Sequence, residues 1–118
     1  MVIGIPGVND KIFLDLFDND IELFSSVLQA FVGKTAGVLN SLRNVSQDTL
    51  ADYTNNIHAL KGACANICAE EARETAEKLE MMAKAGDISG ILVINGDFLK
   101  YMEDMLDNLK NWLKNHQS

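Results

Sequence analysis

Apolar positions along this chain recur at helical spacing. The clearest run lies between Leu50 and Cys68, where Leu50, Tyr53, Ile57, Leu60, Cys64 and Ile67 follow at intervals of three, four, three, four and three. That period marks the core-facing side of an amphipathic helix. At about 100° per residue, His58 falls roughly 130° from the centre of the stripe, so its ring should face away from the core. Ala51, Asn55, Gly62 and Ala65 share its side of the helix. The pattern thus predicts a histidine standing among small and polar neighbours, with Lys61 three residues on.

The rest of the chain reads as helices around that one. Residues 1 to 9 form an irregular lead-in with Gly4, Pro6 and Gly7. Asn9 or Asp10 is placed to cap a short helix whose apolar face is Ile12, Phe13, Leu16 and Phe17. Asp18-Asn19-Asp20 interrupts the pattern and supplies the next cap. A longer helix from about Asp20 to Arg43 carries Phe24, Val27, Leu28, Phe31, Thr35, Val38, Leu39 and Leu42 in phase, although Gly33 and Gly37 weaken its middle. Asn44 to Asp48 reads as a turn, with Ser46 or Asp48 as cap of the central helix, which should end or bend near Cys68-Ala69. The next helix runs from about Glu70 to Ala85, with Ala72, Ala76 (or Thr75), Leu79 and Met82 as its stripe. Gly86-Asp87 is a stop followed by a cap. Gly90 and Asn95-Gly96 predict a broken or late start for the last helix, whose pattern is firm only from Asp97, through Phe98, Met102, Met105, Leu109 and Trp112. The tail NHQS should fray. The only candidate strand is ILVI at 91 to 94. Long amphipathic helices joined by short turns imply antiparallel neighbours. The expected fold is therefore all-α, an up-and-down antiparallel four-helix bundle with a short extra N-terminal helix, in one domain over 1–118.

Composition narrows the function. The 118 residues are 47 % hydrophobic and 23 % charged, an ordinary mix for a globular protein with one core. Ten Lys and Arg against seventeen Asp and Glu give a net charge of −7, which disfavours nucleic acid and anionic membranes as partners. No apolar run approaches the roughly 18 residues that span a bilayer. MVIGIPG carries no basic residue and does not read as a signal peptide. The two cysteines, Cys64 and Cys68, lie four apart on one helix, a poor disulfide and half of a zinc site. Their plain reading is small buried hydrophobes in a reducing cytoplasm.

Several chemistries are missing. There is no Walker-type phosphate loop, no G-x-S-x-G and no H-E-x-x-H. His116, the other histidine, is preceded at three by Leu113, so the Glu-x-x-His pairs of di-iron bundles are absent and no metal is expected. His58 remains, as an exposed nucleophile whose unprotonated ring nitrogen can attack phosphorus. Lys61 would bring positive charge to an incoming phosphoryl group. Gly62, one turn on, removes a side chain and lets another protein approach the ring closely. A glycine inside a helix costs up to about 1 kcal/mol against alanine, which points to a reason for it.

The run H-A-L-K-G from His58 to Gly62, followed by small residues and Asn66-Ile67-Cys68-Ala69, resembles the histidine phosphotransfer (HPt) domains of two-component phosphorelays. In that family a pattern close to H-x-L-K-G-(small)₃–x-(apolar)-G-A lies on the second long helix of a four-helix bundle. The resemblance extends to the helix count, the mid-chain histidine, Leu79-Glu80, and the Ala85-Gly86-Asp87 stretch that often closes the next helix. One departure is Cys68, where the family usually has glycine. The resemblance implies that His58 accepts a phosphoryl group from a receiver-domain phosphoaspartate through Nε2 and passes it to a second receiver. It implies Lys61 as electrostatic aid and a docking face of Asn55, Ala59, Gly62, Ala65 and Asn66. It implies no cofactor of the chain's own, with Mg²⁺ on the partner receiver, and no ATP-dependent kinase activity. The implied partners are response-regulator receiver domains and a hybrid sensor histidine kinase.

The rival from another class is a docking module with the same low-walled surface and no phosphoryl chemistry, in which His58→Gln would leave activity intact. A metal-binding bundle is a more distant rival. The Met1 start and the length lead us to expect a free-standing protein rather than one domain of a larger sensor kinase.

Overall fold

The computed structural model describes residues 3–116, which form α1 (Asp10–Phe17), α2 (Ile21–Ser41), α3 (Leu50–Asn66), α4 (Glu70–Lys84) and α5 (Ile88–His116). No strand occurs among the described residues, and ILVI at 91–94 is part of α5. Side-chain caps start three of the helices. Asn9 Oδ1 accepts from the Ile12 N–H at 3.0 Å, Asp20 Oδ1 from that of Leu23 at 3.0 Å, and Asp87 Oδ1 from that of Gly90 at 2.9 Å. Each takes up an N–H that a first turn leaves without a helical partner. The caps expected for α3, Ser46 and Asp48, do not serve. Thr49 holds the cap position without a side-chain bond to the helix. Its hydroxyl instead closes the preceding turn, accepting from the Ser46 N–H at 2.9 Å and donating to the Asn44 carbonyl at 3.0 Å.

The long helices pack in a ring, α2 on α3, α3 on α4, α4 on α5 and α5 back on α2. Short connections make successive helices antiparallel, which gives the expected four-helix bundle with α1 as the extra element. The buried apolar side chains form one cluster. Of the central stripe, Tyr53, Ile57, Leu60, Cys64 and Ile67 are within it, and Leu50, half-buried, packs against it.

The last helix differs from its expected form. It starts at Ile88, not late, and runs unbroken for 29 residues along a molecule 46 Å in its longest dimension. The residues that suggested a break have other tasks. Gly90 is the residue whose N–H Asp87 caps, and a Cβ there would collide with that carboxylate. Asn95 is buried. Its Oδ1 accepts from the Tyr53 hydroxyl at 2.7 Å, and its amide donates to the Leu42 carbonyl at 3.0 Å. One side chain thus ties α5 to α3 and satisfies a carbonyl at the end of α2, which would otherwise be unpaired in the core.

The turn after α3 resolves the departure at Cys68. The helix ends at Asn66, slightly before the expected bend. Cys68 takes a left-handed conformation with φ 63°. The Ala69 N–H bonds the Cys64 carbonyl at 2.9 Å and the Cys68 N–H bonds that of Ala65 at 3.2 Å, the Schellman arrangement in which glycine is the usual residue. A side chain in that region costs roughly 1–2 kcal/mol. Burial of the side chain and the bond from the Asn9 N–H to the Cys68 carbonyl at 2.8 Å hold the turn in place.

The lead-in is irregular but not loose. Ile3, Ile5 and Val8 are buried, and the Trp112 indole donates to the Ile3 carbonyl at 3.0 Å. His116 stacks on Trp112 with centroids 4.1 Å apart, and α5 stays helical through Asn115 and His116 where fraying was expected. The remainder of that tail, Gln117 and Ser118, and the first residues of MVIGIPG, Met1 and Val2, lie outside the described residues.

Candidate functional site

The outer side of α3 carries the residues that the sequence singles out. Starting from His58 and turning toward α2, helical geometry places Gly62, Asn55, Asn66 and Ala59 in order; turning toward α4 it places Ala65 and then Lys61. His58, Asn55, Ala59, Gly62 and Asn66 are exposed, while Ala65 and Lys61 are half-buried. All seven therefore belong to one continuous surface. A Cβ on Gly62 would meet no atom within 4 Å, so internal packing does not require glycine there. On the α2 side the surface dips into a groove of about 260 Å³, walled by Val27, Phe31 and Val38 of α2 and by Ala59, Ala63 and Asn66 of α3.

On the other side stands a residue to which the sequence pattern gave no role at the site. The His58 side chain is 66 % exposed, yet its Nδ1 lies 2.6 Å from Oε2 of Glu80 on α4. Glu80 is 3 % exposed. A buried carboxylate is tolerated only when it is paired. Here Lys61 Nζ lies 2.6 Å from Oε1, and Lys84 Nζ lies 3.3 Å from the same Oε2 that faces His58. Hydrogen bonds from Lys61, then from His58 and Lys84, outweigh desolvation and hold the Glu80 carboxyl at about 2. Ionised, it can only accept, so Nδ1 must carry the proton that joins them. In the neutral ring the lone pair is then on Nε2, which has no hydrogen-bond partner among the described residues.

Local sequence explains how Glu80 reaches the ring. The α3–α4 connection is only Ile67 to Ala69, so the two helices run antiparallel from a fixed start. The face that α4 turns inward is built on Ala72, Ala76, Leu79 and Ala83, and small side chains let the backbones approach. Glu80 sits at the flank of that stripe, next to Leu79, facing α3. Lys61, expected to bring positive charge to an incoming phosphoryl group, lies half-buried with its ammonium on this carboxylate.

The cysteines are buried and unpaired. Burial pushes the Cys64 thiol up to about 12 and that of Cys68 to about 11, which keeps both protonated and unreactive. Among the described residues no cluster of three or more His, Cys, Asp or Glu could hold a metal ion. No helix among them is long and apolar enough to cross a membrane.

Neither a curated protein nor a solved structure matches the chain. A family model does: the Hpt domain, over residues 26–112, from early in α2 to Trp112 in α5, and so across the whole of the surface just described. With most of its length matched and a helical bundle to carry the match, the chain belongs to the Hpt domain family, whose members serve histidine phosphotransfer in phosphorelays.

Proposed function

We propose that this protein carries a phosphoryl group on Nε2 of His58, taken from the phosphoaspartate of one receiver domain and given to the aspartate of another. The observation that carries the reading is the His58–Glu80 pair: an exposed ring whose Nδ1–H is held by a buried carboxylate, on a helix face stripped of bulk. Attack by Nε2 forms the N–P bond as the O–P bond of the aspartyl phosphate breaks, and the receiver's aspartate leaves as a carboxylate. The proton on Nδ1 stays where it is. The positive charge that develops on the ring is met by Glu80, as a buried carboxylate supports an imidazolium in other nucleophilic sites. The second transfer reverses these bonds on a different aspartate.

The docking face is the low wall of Asn55, Ala59, Gly62, Ala65 and Asn66, continued by the apolar groove toward α2. The receiver supplies Mg²⁺ and the groups that activate its own phosphoaspartate. This chain acts as a carrier, without kinase activity toward ATP, and its unpaired buried thiols suit a reducing, cytoplasmic setting.

The test is incubation with a phosphorylated receiver domain, wild type beside His58→Gln. Acid-labile, base-stable label on the wild type alone is expected, and none from ATP without a kinase. A folded wild type that takes no label from a range of receivers would leave the docking-module reading in its place.

A further inference from the structure

Glu80 has three donors, and the third has no part in the scheme above. Lys84 lies in the last turn of α4, four residues after Glu80. Its ammonium is 3.3 Å from Oε2, the oxygen that also takes His58 Nδ1–H at 2.6 Å. The ammonium is therefore no farther from the ring than those two distances laid end to end. Lys61 is bound differently. It holds the other oxygen at 2.6 Å, and its side chain is 26 % exposed against 64 % for Lys84. The Lys84 contact is the longer, and its more hydrated ammonium is the more easily released of the two.

The formal charges of the cluster point the same way. With a neutral ring, two lysines against one carboxylate leave one positive charge over, in a chain whose net charge is −7. A dianionic phosphoryl group on a ring that keeps its Nδ1 proton brings in one net negative charge, and the cluster becomes neutral. The charged groups of this cluster are Glu80 and Lys84 from α4, with Glu80 on the ring and Lys84 on Glu80, and Lys61 from α3, also on Glu80; from α2, Lys34 lines the groove beside Ala59 and Asn66. A lysine stem is long and rotatable, and its ammonium can exchange a shared carboxylate oxygen for a phosphoryl oxygen without any backbone movement.

We propose that Lys84 is a second cation of the phosphorylated state, swinging from Glu80 to the phosphoryl group on His58 while Lys61 stays on Glu80. The proposal rests on His58 as phosphoacceptor, and its test does not need a receiver. The protein is phosphorylated with phosphoramidate, a small chemical donor, and the phosphoryl group is titrated by ³¹P NMR. Wild type, Lys84→Met, Lys84→Arg and Lys78→Met are compared, the last removing an exposed lysine of α4 that makes no contact with Glu80.

A cation within about 5 Å in a largely aqueous setting lowers the second ionisation of a phosphoryl group by about half a pH unit. Lys84→Met should raise the titration midpoint by that much or more, Lys84→Arg should restore it, and Lys78→Met should leave it in place. A midpoint in Lys84→Met equal to wild type, or moved no more than by Lys78→Met, overturns the proposal. Phosphohistidine that forms with phosphoramidate but with no receiver removes the phosphorelay reading and leaves Lys84 to be judged by its own titration. A folded wild type that forms no phosphohistidine overturns both.

Discussion

Glu80→Gln separates what the buried carboxylate does for the ring from what it does for the fold. Glutamine keeps the size of the side chain and one oxygen for His58 Nδ1–H, but not the charge. A hydrogen bond to a charged group is worth about 1.5–3 kcal/mol net, and one between neutral groups about 0.5–1.5 kcal/mol. The difference, roughly 1–1.5 kcal/mol, acts mostly on the state in which the ring is becoming positive. The ring is 66 % exposed, so water shares in that stabilisation and the lower figure is the better one. Transfer should slow about fivefold. Because Glu80 is buried and cannot touch a partner, the loss should fall on the rate at saturating receiver and leave affinity alone. Rapid-quench transfer from a phosphorylated receiver reads both quantities. A folded Glu80→Gln variant that transfers at the wild-type rate, or loses only affinity, refutes the role given to the carboxylate.

The same variant has a stability arm. The Glu80 carboxyl stands at about 2 in the folded protein against 4.5 ordinarily, chiefly through the Lys61 hydrogen bond. Between those values the unfolded chain binds the proton and the folded one does not. The stabilisation is therefore complete above about 4.5 and is lost as pH falls through about 2. Denaturation midpoints of wild type and Glu80→Gln should differ near neutrality and converge over that interval.

Other substitutions test other links. Gly62→Ala should raise stability by up to about 1 kcal/mol in thermal unfolding, since the site is open and alanine is the better helix former, yet slow transfer by crowding the approach to His58. An unchanged transfer rate would remove the clearance argument. At Cys68, glycine should be more stable than alanine by about 1 kcal/mol in denaturant titration, because both lose the thiol's packing and only glycine is free of the cost of φ 63°. Tyr53→Phe should cost about 1–3 kcal/mol, since it leaves the buried Asn95 Oδ1 without its donor. A cost below about 0.5 kcal/mol would mean that Asn95 is satisfied in some other way.

Features that depend on neighbouring residues alone are legible in the sequence. The stripe of α3 and the caps Asn9, Asp20 and Asp87 each concern residues within a few positions of one another, and a single helix decides them. Sequence and fold part where a residue answers to a distant partner. Asn95 looks like a turn residue because asparagine usually favours turns. Its actual partners, Tyr53 and the Leu42 carbonyl, are 42 and 53 positions away. Cys68 shows a milder case: the turn geometry that glycine usually supplies survives because packing against the lead-in outweighs the local strain.

The candidate site divides along the same line. His58, Lys61 and Gly62 lie within five residues, so their shared face follows from helical period alone. Glu80 belongs to another helix, and its own neighbourhood of Glu, Lys and Met resembles any solvated face. A signal was nonetheless present. The connection between α3 and α4 is too short for its register to vary, and the turn centres on Cys68. Counting outward from that residue, His58 stands ten positions before it and Glu80 twelve after, nearly opposite one another on antiparallel helices. Glu80 also adjoins Leu79 on the inward stripe, where an ionised carboxylate needs partners and the facing turn of α3 offers His58 and Lys61. The register of a short helical hairpin thus places a charged residue that helix periodicity alone leaves unassigned. That places it on Nδ1 of His58, where, under the proposed transfer, it would leave Nε2 as the nitrogen free to react.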